Sequence, residues 1–251
     1  MEKDRGQMSD ISTKIFETLR NELISLVIKP GDSVVESDIC MRFSVTRPPV
    51  RSAFQRLSDM KLLDIKPYRG ATATLLDLDD IYQIIFFRTT VEARIIQDFM
   101  ASKPSAFTIE DLKHNLRLEK LTIEEKEVDE QKFFELDSAL HQIWFDAMHA
   151  GTVWNIIQDN IVYKRFRMLD FVGTQKYAQI VCDHSQLITA IEKGESDLVL
   201  PILGNHLNNG LRRMGNLIEN EYRRYFNFSE NIDYWKQYNK RYEDPRYHFC
   251  S

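Results

Sequence analysis

The chain has 251 residues, 43% of them hydrophobic and 28% charged, with a formal net charge of −5. That is the composition of a globular protein, enough for one large domain or two of ordinary size. With no apolar run near the ~20 residues that span a bilayer and no signal-peptide stretch at the N-terminus, a cytoplasmic protein without a membrane partner is expected.

Residues 1–9 are polar, the profile of a disordered end. From Ile11 to Ile28, Ile15, Leu19, Leu23, Leu26 and Val27 recur at helical spacing. Lys29-Pro30-Gly31-Asp32 stops that helix. Glu36–Phe43 reads as a short second helix and Ser44-Val45 as a turn. A third helix follows. Thr46 is a suitable N-cap, and Pro48 and Pro49 are tolerated only in a first turn. Val50, Phe54 and Leu57 share one apolar face, while Arg47, Arg51 and Arg56 lie largely off it. Such a helix suits insertion into a DNA major groove, although a basic surface helix fits the same window. Met60–Ile65 and Ala71–Leu75 are β-prone and flank the turn Lys66-Pro67-Tyr68-Arg69-Gly70, which makes a hairpin or wing. The order predicts a winged helix-turn-helix over residues 1–76. Charge agrees: residues 1–76 carry a net +2 and the remainder −7, a basic module joined to an acidic one.

Beyond Leu76 the periodicity is helical almost to the end. Helices are predicted at 79–102, 108–126, 129–150, 152–171, 175–193, 196–220 and 230–242, with no strand, no internal repeat and no glycine-rich phosphate loop. The fold class is mainly α: the winged head, then an all-α antiparallel bundle over 77–251. Cys40, Cys182 and Cys250 are too few and too far apart to suggest a disulfide framework or a CxxC metal knot. Asp137 and His141, at i and i+4, project from one helix face amid Phe133, Phe134, Leu136, Leu140, Ile143 and Trp144. His184 and His206 are further polar residues on core-facing stripes. Together the four form a sound ligand set for a divalent transition metal such as Zn²⁺, Ni²⁺ or Mn²⁺. His114, His149 and His248 read as surface or structural residues. Residues 222–249 are rich in Tyr, Phe and Trp, which favours a segment packed on its own domain, on the winged helix or on a second subunit over one that stacks on single-stranded nucleic acid.

Residues 11–75 resemble the DNA-binding domain of the GntR family of bacterial transcription regulators, through Lys29-Pro30-Gly31, Glu36, Val45-Thr46-Arg47, Pro49-Val50-Arg51, Ala53, Leu57, Leu62-Leu63 and Tyr68-Arg69-Gly70. Pro48, Ser52 and Lys61 depart from the usual pattern, and Ser37 stands where some relatives place an arginine. Residues 79–220 resemble the FCD effector-binding domain of the FadR-like subgroup, in the order of Asp137, His141, His184 and His206. The departure there is Gly151-Thr152 where Gly-Asn is common. The resemblance implies a homodimer on double-stranded, palindromic operator DNA, with Thr46, Arg47, Pro49, Arg51, Arg69 and Gly70 at the interface. It also implies a metal in the bundle centre and a small carboxylate effector held by Arg88, with Glu92 beside it. Arg88 could alternatively form a salt bridge to Glu92 on an exposed face.

Two other function classes fit the same residues. A metalloenzyme would leave a coordination position open for substrate, with Glu92 as the one candidate base. A regulator could also hold its metal for structure alone.

Overall fold

The computed structural model describes residues 2–66 and 70–242, with side chains from Asp10 onward. The wing tip with Arg69, and the end of the aromatic tail with His248, lie outside the described residues.

The head comprises α1 (Glu2–Ile24), β1 (Ser33–Val34), α2 (Glu36–Phe43), α3 (Arg47–Asp59), β2 (Leu63–Lys66) and β3 (Gly70–Ala73). Helix α1 begins upstream of the expected Ile11, taking in residues expected to be disordered. It ends at Ile24 rather than Ile28; Leu26 sits in the left-handed region at φ 63° and packs against the bundle core. Ile15, Leu19 and Leu23 of α1 meet Val50, Ala53, Phe54 and Leu57 of α3 in the head's own core. Both wing strands are present and antiparallel, with Ile65 opposite Ala71. A third strand, β1, unrecognisable at two residues, pairs with β3 and makes the order β1-β3-β2.

The bundle comprises α4 (Leu78–Ala101), α5 (Ala106–Glu124), α6 (Glu130–Ala147), α7 (Gly151–Gln158), α8 (Ile161–Thr174), α9 (Tyr177–Lys193) and α10 (Ser196–Glu219). The single helix expected at 152–171 is two helices. Asn160 breaks the run by accepting the Tyr163 N–H with its side chain, which starts α8 in a new direction. Asp77 caps α4 the same way, accepting from the N–H groups of Asp79 and Asp80. Trp144, Phe99, Phe133, Phe145 and Phe166 are buried at the centre.

After α10 the chain returns to the head–bundle junction. There β5 (Phe226–Asn227) pairs in parallel with β4 (Leu76–Asp77), the connector between head and bundle. Helix α11 (Ile232–Asn239) then lies on α4, where Trp235 and Tyr238 meet Phe86 with ring centroids 5.9 and 5.4 Å apart. The aromatic tail, as far as it is described, thus packs on its own domain. No helix among the described residues is long and apolar enough to cross a membrane.

Candidate functional site

The bundle brings Asp137, His141, His184 and His206 together. One ligand atom from each lies within 4.8 Å of all the others, and all four residues are buried. Helix α6 supplies the first two one turn apart, α9 the third and α10 the fourth. His184 Nε2 is 3.3 Å from His206 Nε2 and 3.7 Å from Asp137 Oδ1. His141 Nε2 is buried with no partner, which is a costly state for a ring nitrogen unless something occupies its lone pair.

The far side of each ring explains why the three Nε2 atoms converge. His141 Nδ1 contacts Glu92 Oε1, His184 Nδ1 lies 2.8 Å from Glu119 Oε2, and His206 Nδ1 lies 3.4 Å from Asp183 Oδ2. The carboxylates behind His141 and His184 favour the proton on Nδ1 and leave Nε2 as a lone-pair donor, while Asp183 lies near His206 Nδ1 without a hydrogen bond to it. Asn209 in turn holds Asp183 Oδ2 at 2.8 Å. Burial, reinforced by Arg88, pushes His141 well below the ordinary imidazole value, and burial takes His206 down to about 4. Burial opposes the charged form of His184 too, but Glu119 outweighs it and the shift is upward. For Asp137, burial is overcome by Arg167 and the histidines, so the carboxyl lies far below its usual range. An ionised carboxylate and imidazoles directed through Nε2 are the donor set a divalent transition metal requires. The residues fit such an ion.

Arg88 is buried beside this centre rather than exposed. Its Nε donates to Glu92 Oε2 at 2.8 Å and its Nη1 to the Tyr163 hydroxyl at 2.9 Å, while Nη2 has no partner. A second buried guanidinium, Arg167 of α8, donates to Asp137 Oδ1 at 2.7 Å and to Tyr163 at 3.4 Å. Glu92, expected beside an effector, has one oxygen on Arg88 and the other shared by His141 and Trp144 Nε1. It ties the arginine to a metal ligand. Glu119, Asp183, Tyr163 and Arg167 were not singled out in the sequence. One signal was available for Glu119: it continues the buried stripe Leu112, Leu116 on α5, a carboxylate where an apolar residue belongs. His114 and His149 are exposed, as expected.

In the head, Thr46, Arg47 and Arg51 are exposed at the start of α3. Thr46 occupies the N-cap position but makes no capping hydrogen bond. Its usual partners are the N–H groups of the second and third helical residues; here those residues are Pro48 and Pro49, which have none. Pro49, expected on the DNA side, is buried against the head core, because its ring falls on the face of Val50 and Ala53. Glu36 at the start of α2 lies 3.5 Å from Arg47 Nε and 2.9 Å from Arg51 Nε. Arg56 points elsewhere: it donates to Thr13 and lies 3.8 Å over the Phe16 ring of α1. Gly70 opens β3 exposed at φ 83°, a conformation that favours glycine.

The model of the gntR family of bacterial regulatory proteins matches residues 11–72, and that of the FCD domain matches residues 80–209. The HTH-type transcriptional repressor RspR of Escherichia coli K12 is 27% identical over 198 residues, covering 78% of this chain and 86% of that protein. The gluconate operon transcriptional repressor of Bacillus licheniformis is 25% identical over 193 residues, 74% and 77% of the two chains. Among solved structures, a GntR regulator from Rhodococcus sp. RHA1 aligns with a TM-score of 0.62 at 19% identity, over 81% of this chain and 97% of that one. E. coli McbR/YncC aligns at 0.63 and 13% identity, over 82% and 98%. The two structures share the fold.

Proposed function

We propose that this chain, which belongs to the gntR family of bacterial regulatory proteins and carries an FCD domain, is a transcription regulator whose hold on DNA responds to a small carboxylate bound at a metal centre in the bundle. The observation that carries this reading is the convergence of one ring nitrogen from each of three buried histidines and a carboxylate oxygen of Asp137 within 4.8 Å of one another. Asp137, His141, His184 and His206 would hold Zn²⁺, Ni²⁺ or Mn²⁺, which supplies a positive centre for an anion. Arg88 supports the anion. Its unpartnered Nη2 is a buried donor beside the cation site, and a carboxylate would satisfy it while neutralising the local charge.

At the other end, Thr46, Arg47 and Arg51 are the exposed groups of the recognition helix, and Gly70 places the wing beside it. In a homodimer two such heads would read the half-sites of a palindrome. Arg69 is the wing's proposed DNA contact. The enzyme reading is disfavoured because both oxygens of Glu92, its candidate base, are engaged by Arg88, His141 and Trp144.

The test is thermal melting of metal-stripped protein, Zn²⁺-loaded protein, and Zn²⁺-loaded protein with a panel of small mono-, di- and tricarboxylic acids. Zinc is expected to raise Tm in the wild type and not in D137A/H141A, and at least one acid to raise it further without being consumed. R88M should keep the zinc effect and lose the acid effect. Turnover of an acid would favour the enzyme. Zinc stabilisation with no response to any acid would leave a structural metal.

A further inference from the structure

Helix α8 lies between the two ends of the molecule, and its faces carry different chemistry. Tyr163 and Arg167, one turn apart, face the metal centre, where Arg167 donates to Asp137 Oδ1. Ile161 at its start packs into the head core. Arg165, two residues on from Tyr163 and so about 200° around the helix, faces away from the metal. It is 0% exposed, and Nη1 donates to Thr74 Oγ1 at 2.9 Å in the segment just before the connector strand β4. Thr74 Oγ1 donates onward to the Lys61 carbonyl at 2.7 Å. Lys61 follows the recognition helix by two residues and is itself at φ 57°. A continuous chain of contacts therefore runs from a metal ligand, through both faces of one helix, to the end of the helix that meets DNA.

Continuity alone is not coupling; an element with two accessible arrangements is also needed. Arg165 supplies it. Its Nε and Nη2 have no partner, and among the described residues it makes no ion pair. Burial with no compensating charge takes its guanidinium down to about 10. A buried cation with one neutral hydrogen bond is under-satisfied, so the closed junction gives up part of its stability, and an opening that hydrated Arg165 would recover it. A junction closed with apolar residues would not have this property.

We propose that Arg165 is the positioning residue through which the state of the metal centre sets the docking of the DNA-reading head, acting through Thr74 on the segment that ends α3. This rests on the metal reading above. A cation held by Asp137 would compete with Arg167 for the same carboxylate, and a change in that bond would reach the Arg165–Thr74 contact through α8.

The experiment is hydrogen exchange on the full chain, metal-stripped against Zn²⁺-loaded, read over residues 161–174 and 58–77. In the wild type zinc should change exchange in both segments, by about fivefold or more. T74V, which removes the hydroxyl at nearly constant volume, and R165M should bind zinc normally and keep the change over 161–174. Both should lose it over 58–77, and T74S, which restores the hydroxyl, should regain it. A zinc effect over 58–77 that persists in T74V and R165M overturns the inference. So does a wild type that responds in α8 but not over 58–77, and that result leaves the metal reading standing. Failure of zinc to bind at all removes the metal reading and this inference with it.

Discussion

His184 shows what a single residue needs in order to serve as a ligand. Its ring must present one nitrogen and keep the other occupied, and Glu119 at 2.8 Å does the second. Loss of such a backing carboxylate typically costs ten- to a hundredfold in metal affinity. E119Q is therefore expected to weaken zinc binding by about that factor while leaving the metal-free fold intact; competition with a chromophoric chelator measures it. Unchanged affinity would mean that ring packing alone orients His184. The four clustered residues were legible in the sequence and the carboxylates behind the rings were not, for a physical reason. Asp137 and His141 share a helix face, so spacing reveals them. Glu119 and His184 are 65 residues apart and meet only through the packing of α5 against α9. Asp183 shows the hazard of reading neighbours as partners: it adjoins His184 in the chain but serves His206.

At the scale of the element, α3 is set by proline. With no N–H at its second and third positions, the helix start offers little backbone donation to a phosphate, and the exposed side chains of Thr46, Arg47 and Arg51 remain as the candidate contacts. Glu36 of α2 reaches both arginines, restraining them in the absence of DNA and placing a negative charge where phosphates would come. E36Q should therefore strengthen binding to random-sequence duplex by about threefold to tenfold at low salt and steepen its salt dependence. R51A should weaken duplex binding with metal content unchanged. Fluorescence anisotropy across a salt series separates the two, and equal affinities for wild type and E36Q would remove any restraining role for Glu36. The apolar face of α3 was plain from Val50, Phe54 and Leu57. The burial of Pro49 was not, because a proline in a first turn can face either way and only the packing of α1 across α3 decides it. The break at Asn160 was missed for the converse reason: apolar periodicity runs on through 152–171, and one side-chain cap redirects the chain.

At the scale of the molecule two hydrophobic cores meet at a junction built from α8, the connector and the chain that follows α10. The head and the bundle were both legible, since each has its own periodicity and charge. The parallel β4–β5 pair was not, because two-residue strands 150 residues apart leave no pattern. A chain ending at Asn220 should keep both cores and the Asp137–His141–His184–His206 cluster but lose β5, leaving the connector open. Limited proteolysis should then cut near residues 74–77 several times faster than in the full chain, and equal rates would show that α8 alone holds the junction.

That late strand also has a consequence in time. Leu76 leaves the ribosome long before Phe226, so the head is synthesised about 150 residues ahead of the strand that pairs with its tether. Until α8 is made a reading head can fold with neither of its docking partners present, and until β5 is made with only one of them. The tether is therefore closed on both sides only after Phe226 and Asn227 have been made, and a product terminated before them would carry a head held by α8 alone.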